Sequence, residues 1–175
     1  MKIWQFIFIL FLIIVASFNP KIQLHKIFFS QFKVYTDDRN GKIYWFDILT
    51  FIVIPLIISL FMGCQLSISL VSKYSDDVIT IFSLVSTILL SFIAILSDKE
   101  YSNQKKREIV KETIVTITVN VVYSMLVVLL VVLPKIVMFN DALKRILFII
   151  IIFLIIKIAL NMLMILKRVS KILEF

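Results

Sequence analysis

Residues 146–166 read Ile146-Leu147-Phe148-Ile149-Ile150-Ile151-Ile152-Phe153-Leu154-Ile155-Ile156-Lys157-Ile158-Ala159-Leu160-Asn161-Met162-Leu163-Met164-Ile165-Leu166. Only Lys157 and Asn161 interrupt an otherwise apolar run. About twenty such residues in a helix cross the roughly 30 Å of hydrocarbon in a bilayer. Isoleucine-rich runs also build buried strands, but strands stop after about four to eight residues, so length decides for a helix.

Three further stretches repeat the pattern. They are about Ile48–Val71, containing Pro55 and Gly63, about Val78–Leu96, without a charge, and about Ile114–Leu133. The expected fold is an all-α, polytopic transmembrane helical bundle of four or five spans. The fifth candidate is Ile3–Phe18, closed by Asn19-Pro20. Its sixteen residues reach only about 24 Å at 1.5 Å per residue. Val15-Ala16-Ser17 would suit signal-peptide cleavage. The segment is read as a retained short span, with an anchor lying against the bundle as the alternative. The expected organisation is a short transmembrane or anchor helix at 1–18, a basic amphipathic linker at 19–45, and a four-helix bundle at 46–175 with a basic loop at 97–113.

Composition agrees. Of 175 residues 61% are hydrophobic, and only 2 are Gly and 3 Pro. A mean hydropathy of +1.07 leaves more apolar surface than one small core hides from water, whereas lipid-facing side chains need no protein partner. Cys64 is the one cysteine; it excludes an intrachain disulfide and a multi-cysteine metal site, and reads as a small packing residue. His25, the one histidine, reads as a surface residue.

The net charge of +8 is explained first by topology. Lys21, Lys26, Lys33, Arg39 and Lys42 precede the first long span; Lys99, Lys105, Lys106, Arg107 and Lys111 join the second and third; Lys167, Arg168 and Lys171 follow the fourth. These are 13 of the 19 basic residues. The positive-inside rule puts all three regions in the cytoplasm, as expected of a multi-pass protein of a bacterial inner membrane. Tyr44, Trp45 and Phe46 would anchor the first span in the headgroup layer and Trp4 the opposite leaflet.

Two segments outside the spans carry pattern. In 20–45, Leu24, Ile27, Phe28, Phe32 and Tyr35 share one helical face opposite Lys26, Ser30 and Lys33, as in an interfacial helix. Alternatively Phe32–Thr36 and Lys42–Phe46 pair as strands about Asn40-Gly41. The helix followed by a turn is favoured. Segment 97–113 holds no Gly or Pro, so the neighbouring spans can extend as helices joined near Ser102-Asn103. Its Lys99, Lys105, Lys106, Arg107 and Lys111 form a topogenic loop or a docking surface for a soluble partner or anionic lipid.

Lys157 is the most informative residue. It lies roughly 13 Å from the end of its span at Leu166, too deep to snorkel fully. A charge there costs at least about 2.5–3.5 kcal/mol on insertion scales. It should therefore face protein, a wet cavity or a pore. Asn161 lies one turn on, at roughly 8 Å, and Asn120 of the antiparallel third span at roughly 9 Å. Tyr123 and Ser124 follow one turn later. The expectation is a polar seam of Lys157, Asn161, Asn120, Tyr123 and Ser124 between the third and fourth spans, either gluing helices or forming an ion path or bilayer-sensing switch. Ser83, Thr87 and Ser91 mark one face of the second span, where small residues suit close helix approach; Ser86 belongs to the same polar set. Pro55 and Gly63 are expected to bend or loosen the first.

Catalytic chemistry finds little support. There is no Gly-rich phosphate loop, no His-Glu-x-x-His and no nucleophile paired with a histidine base. All 11 acidic residues fall in loops or at span ends. No enzyme activity, metal or cofactor is expected.

From Val78 to Leu133 the chain combines a Ser-rich span, the basic link Asp98-Lys99 through Lys111-Glu112, and a span with Asn120 and Tyr123-Ser124. This layout resembles the membrane subunit of Kiwa-type anti-phage systems and, more loosely, small membrane accessories of some CRISPR loci. The resemblance implies four spans, a homo-oligomer and a cytoplasmic DNA-binding partner; a fifth span would depart from it. The expected partners are membrane lipids, further copies of the chain and a soluble cytoplasmic effector, without direct nucleic-acid binding. The expected function is a non-enzymatic sensing or anchoring subunit that recruits its effector through basic loops. The alternative is a small homo-oligomeric pore that depolarises the membrane.

Overall fold

The computed structural model describes residues 45–65, 73–98, 104–137 and 139–173. The segment Ile3–Phe18, nearly all of the 19–45 linker, and Lys99 lie outside them. The described residues form four helices long and apolar enough to cross a membrane: α1 (Trp45–Gln65), α2 (Ser75–Ser97), α3 (Gln104–Ile136) and α4 (Asp141–Leu173). The chain is a polytopic helical membrane protein, and no strand occurs among the described residues.

The helices pack in the order α2, α3, α4, α1. The central pair is antiparallel, and its buried positions recur at spacings of three and four. One such series on α3 is Val110, Thr113, Ile117, Asn120, Ser124, Val127 and Val131; on α4 it is Ile151, Leu154, Ile158, Asn161, Ile165 and Ile172, with half-buried Arg168 completing the series. This is the seam of a coiled-coil-like pair. Outward faces are rich in exposed Leu, Ile, Phe and Met, including Leu84, Ile88, Leu129 and Leu163. In lipid such residues are in their own solvent.

Two apolar clusters fill the interior. One gathers Phe82, Tyr123, Val127, Val131, Ile151 and Leu154 towards the Ser75, Ile136 and Asp141 ends of the helices. The other gathers Leu89, Leu96, Val110, Ile117, Ile165 and Ile172 towards the Ser97, Gln104 and Leu173 ends. The latter end carries Lys106, Arg107, Lys111, Lys167, Arg168 and Lys171 and is called the basic end below. At the opposite end Lys135 Nζ bonds Asp76 Oδ1 at 2.6 Å, tying the first turn of α2 to the last of α3. The acidic group sits at a helix N-terminus and the basic one at a C-terminus, as the helix dipoles favour.

Helix α1 shows what its proline and glycine do. Proline lacks an N–H, and its ring collides with the carbonyl four residues back, here Phe51. The helix relieves this by widening into a π-turn over Leu49–Val53, closed by an Ile54 N–H bond to Leu49 O. Gly63 does not loosen the helix. Pro55, Ser59 and Gly63 form its buried stripe, and a Cβ built at Gly63 would overlap Ile149 Cγ1 of α4. The glycine is what lets the two backbones approach.

The face of α2 marked by Ser83, Thr87 and Ser91 points outward rather than into a helix contact. Thr87 and Ser91 satisfy their hydroxyls on the carbonyls of Ser83 and Thr87, each at 3.0 Å. Only Ser86 turns inward, bonding Phe82 O. Cys64 is likewise exposed rather than packed inside.

Candidate functional site

Helix α3 packs against both α2 and α4, and its buried surface is not purely apolar. Its polar residues Thr113, Thr116, Asn120 and Ser124 recur every three or four positions and all are buried. Each hydroxyl is satisfied locally: Thr113 donates to Ile109 O at 2.6 Å, Thr116 to Glu112 O at 2.9 Å and Ser124 to Asn120 O at 2.9 Å. A buried polar group without a partner is expensive in any apolar medium, so these back-bonds make the stripe tolerable.

From α4, Asn161 Nδ2 donates to Asn120 Oδ1 at 2.8 Å. Both side chains are fully enclosed, and Asn120 Nδ2 has a longer contact, 3.5 Å, with Ile158 O. A polar pair at facing seam positions favours this register, because a shift by one turn would separate the two amides and break their bond.

Towards the basic end, Arg168 completes the stripe. Its Nη1 donates to Thr116 Oγ1 at 3.2 Å and its Nη2 pairs with Glu112 Oε2 at 3.2 Å. Thr116 thus donates to the backbone and accepts from the guanidinium.

Towards the bilayer centre the stripe stops at Lys157. The residue is only 8% exposed. Its Nζ lies 5.1 Å from the Tyr123 ring centroid and 5.7 Å from that of Phe153. A desolvated cation over an aromatic face gains about 2 kcal/mol, against an insertion cost of at least about 2.5–3.5 kcal/mol. Two such rings offset a cost of this size and leave little surplus. Stability alone therefore does not account for a lysine here.

The structure brings together Lys157, Asn161, Asn120, Tyr123 and Ser124 between α3 and α4. Glu112, Thr113, Thr116, Arg168 and Phe153 extend the set. The first four were signalled by the three-and-four spacing of polar residues along each helix, and Phe153 by lying one turn before Lys157. From Arg168 to Lys157 the stripe covers about 16 Å of α4. Beyond it Val127, Val131, Ile151 and Leu154 close the interior. Within the chain the polar stripe enters from the basic end and ends blind, and Lys157 points into the interior between α3 and α4.

The predicted docking residues lie elsewhere. Helix α3 continues unbroken from its span to Gln104, so segment 104–113 is helix, the extension that the lack of Gly and Pro allows, and not loop. Arg107 and Lys111 are exposed on it and Lys106 is half-buried. Lys105 lies on the same turn, its side chain outside the described set.

Among the described residues no group of three or more His, Cys, Asp or Glu side chains is placed to hold a metal ion. No family model matches the chain, nor does any curated protein or solved structure with which it was compared.

Proposed function

We propose that the chain is a non-enzymatic, oligomeric subunit of a bacterial cytoplasmic membrane, which anchors or senses within an anti-phage defence complex and recruits a soluble cytoplasmic effector through its basic end. One observation carries this reading. The basic segment is a rigid extension of a membrane helix, held by the Glu112–Arg168–Thr116 contacts to α4. It presents exposed Arg107 and Lys111 at the same end of the bundle as exposed Lys167 and Lys171 of α4. A fixed array of like charge steers and orients an acidic partner surface, where a floppy loop would first have to be ordered. The layout of Val78–Leu133, similar to Kiwa-type membrane subunits, supplies the biological setting, and the effector rather than this chain would contact DNA.

The pore alternative is less well supported. It needs Lys157 on a conduction path, and Lys157 is enclosed between α3 and α4 of one protomer, with an apolar layer beyond it.

The test is neutralisation of Lys105, Lys106 and Arg107 to Gln in the full chain. Membrane insertion should be unchanged and co-purification of the soluble partner lost. Undiminished co-purification would reject the docking role.

A further inference from the structure

At the basic end a crevice opens between α1, α3 and α4, with a volume of about 540 Å³. That is within the usual range for small-molecule sites, about 300–1,000 Å³. Its wall is apolar, made by Phe51 of α1 and by Leu160, Leu163 and Met164 of α4. Its rim carries Lys167 and Lys171, neither of which forms an ion pair among the described residues. Two other charges on the rim, Glu112 and Arg168, pair with each other. The remaining carboxylate is Asp47, so the rim keeps a net positive charge.

Three features define what fits. From Leu160 to Lys171 the wall runs about 16 Å along α4, close to half of the roughly 30 Å hydrocarbon thickness. The ligand is therefore one leaflet deep. Its deeper part, against Phe51, Leu160, Leu163 and Met164, is apolar, and its outer part, between Lys167 and Lys171, is anionic. We propose that this crevice binds one anionic phospholipid of the leaflet at the basic end, its phosphate between Lys167 and Lys171 and an acyl chain along Phe51, Leu160 and Leu163. Asp47 accepts a hydrogen bond from a headgroup hydroxyl, which favours a glycerol headgroup. A soluble phosphate satisfies only the rim, and a zwitterionic lipid lacks the net charge.

Native mass spectrometry of the full-length, detergent-purified protein, titrated with dioleoyl phosphatidylglycerol or phosphatidylcholine, tests this. The expected result is one retained phosphatidylglycerol per chain with about fivefold preference over phosphatidylcholine, the scale of roughly 1 kcal/mol for one uncompensated lysine near an anionic headgroup. The preference should vanish in Lys167→Ala/Lys171→Ala, survive in Lys144→Ala/Arg145→Ala at the opposite end, and resist competition by free glycerol phosphate. Equal retention of both lipids, or a preference that survives loss of Lys167 and Lys171, overturns the proposal. A second measurement uses a photoreactive benzophenone side chain in place of Leu163 in the otherwise unchanged protein. A phospholipid adduct supports the site; crosslinks only within the chain or to a second copy overturn it. Neither measurement involves Lys105, Lys106 or Arg107, so failure here is separable from failure of effector recruitment.

Discussion

Asn161 donates a 2.8 Å hydrogen bond to Asn120 across 41 residues of chain, at a point where neither side chain is exposed. The pair sits between the two apolar clusters and bonds the bilayer-embedded parts of α3 and α4 directly through their side chains. Hydrogen bonds between membrane helices average about 0.6 kcal/mol and reach about 1.7. A double-mutant cycle of Asn120→Ala and Asn161→Ala, followed by unfolding in mixed micelles, should return a coupling in that range. The double variant should be less destabilised than the two single losses added together. Strict additivity would mean that the two amides do not sense each other.

Lys157→Met should leave the protein as stable as before or raise its melting temperature, because the change removes a charge that its aromatic neighbours only just accommodate. Tyr123→Leu should then cost more with Lys157 present than with Met at that position, by about 1–2 kcal/mol if the cation–π contact is desolvated. A large loss of stability on Lys157→Met would show that the ammonium has a stronger partner than the two rings.

Gly63→Ala should destabilise the packing of α1 on α4 by about 1–3 kcal/mol, the usual cost of overpacking. Ile149→Ala in the same chain should recover part of that loss by vacating the overlapping volume. Thermal unfolding of the single and double variants checks this; failure of Ile149→Ala to compensate would place the Gly63 contact elsewhere.

Labelling fixes the orientation. In a Cys64→Ser background, a cysteine at Arg107 should react with an impermeant maleimide only after the cytoplasmic side is opened, and one at Asn140 should react in intact spheroplasts. The reverse pattern would invert the whole topology and remove the basic end from the cytoplasm.

The spans were legible because lipid makes composition sufficient: a helix long and apolar enough to cross needs no partner to be recognised. Pairing of Asn120 with Asn161 was legible for a related reason. A fixed rise per residue converts sequence position into depth, and equal depth on antiparallel neighbours brings polar groups together. Helix ends were not legible from hydropathy alone. Helix α3 starts at Gln104, ten residues before Ile114, and the signal for that extension was the absence of Gly and Pro from the charged segment, where nothing breaks a helix that is already nucleated. The outward turn of Ser83, Thr87 and Ser91 was hidden for another reason. Periodicity shows that residues share a face, but in a bilayer an apolar neighbour is no better than lipid, so it does not say which face finds a helix. The crevice beside α1 was hidden too, since it joins residues as distant as Asp47 and Lys171 through a packing order that differs from chain order.

The polar interior of this protein enters from one side and ends at Lys157. Ion flux across proteoliposomes holding the reconstituted protein, under an imposed potential, tests that most directly. The flux should match that of empty liposomes, in the wild-type chain and in Lys157→Ala alike. A conductance that appears with the protein and changes on Lys157→Ala would contradict the blind-ended interior and make the chain a pore.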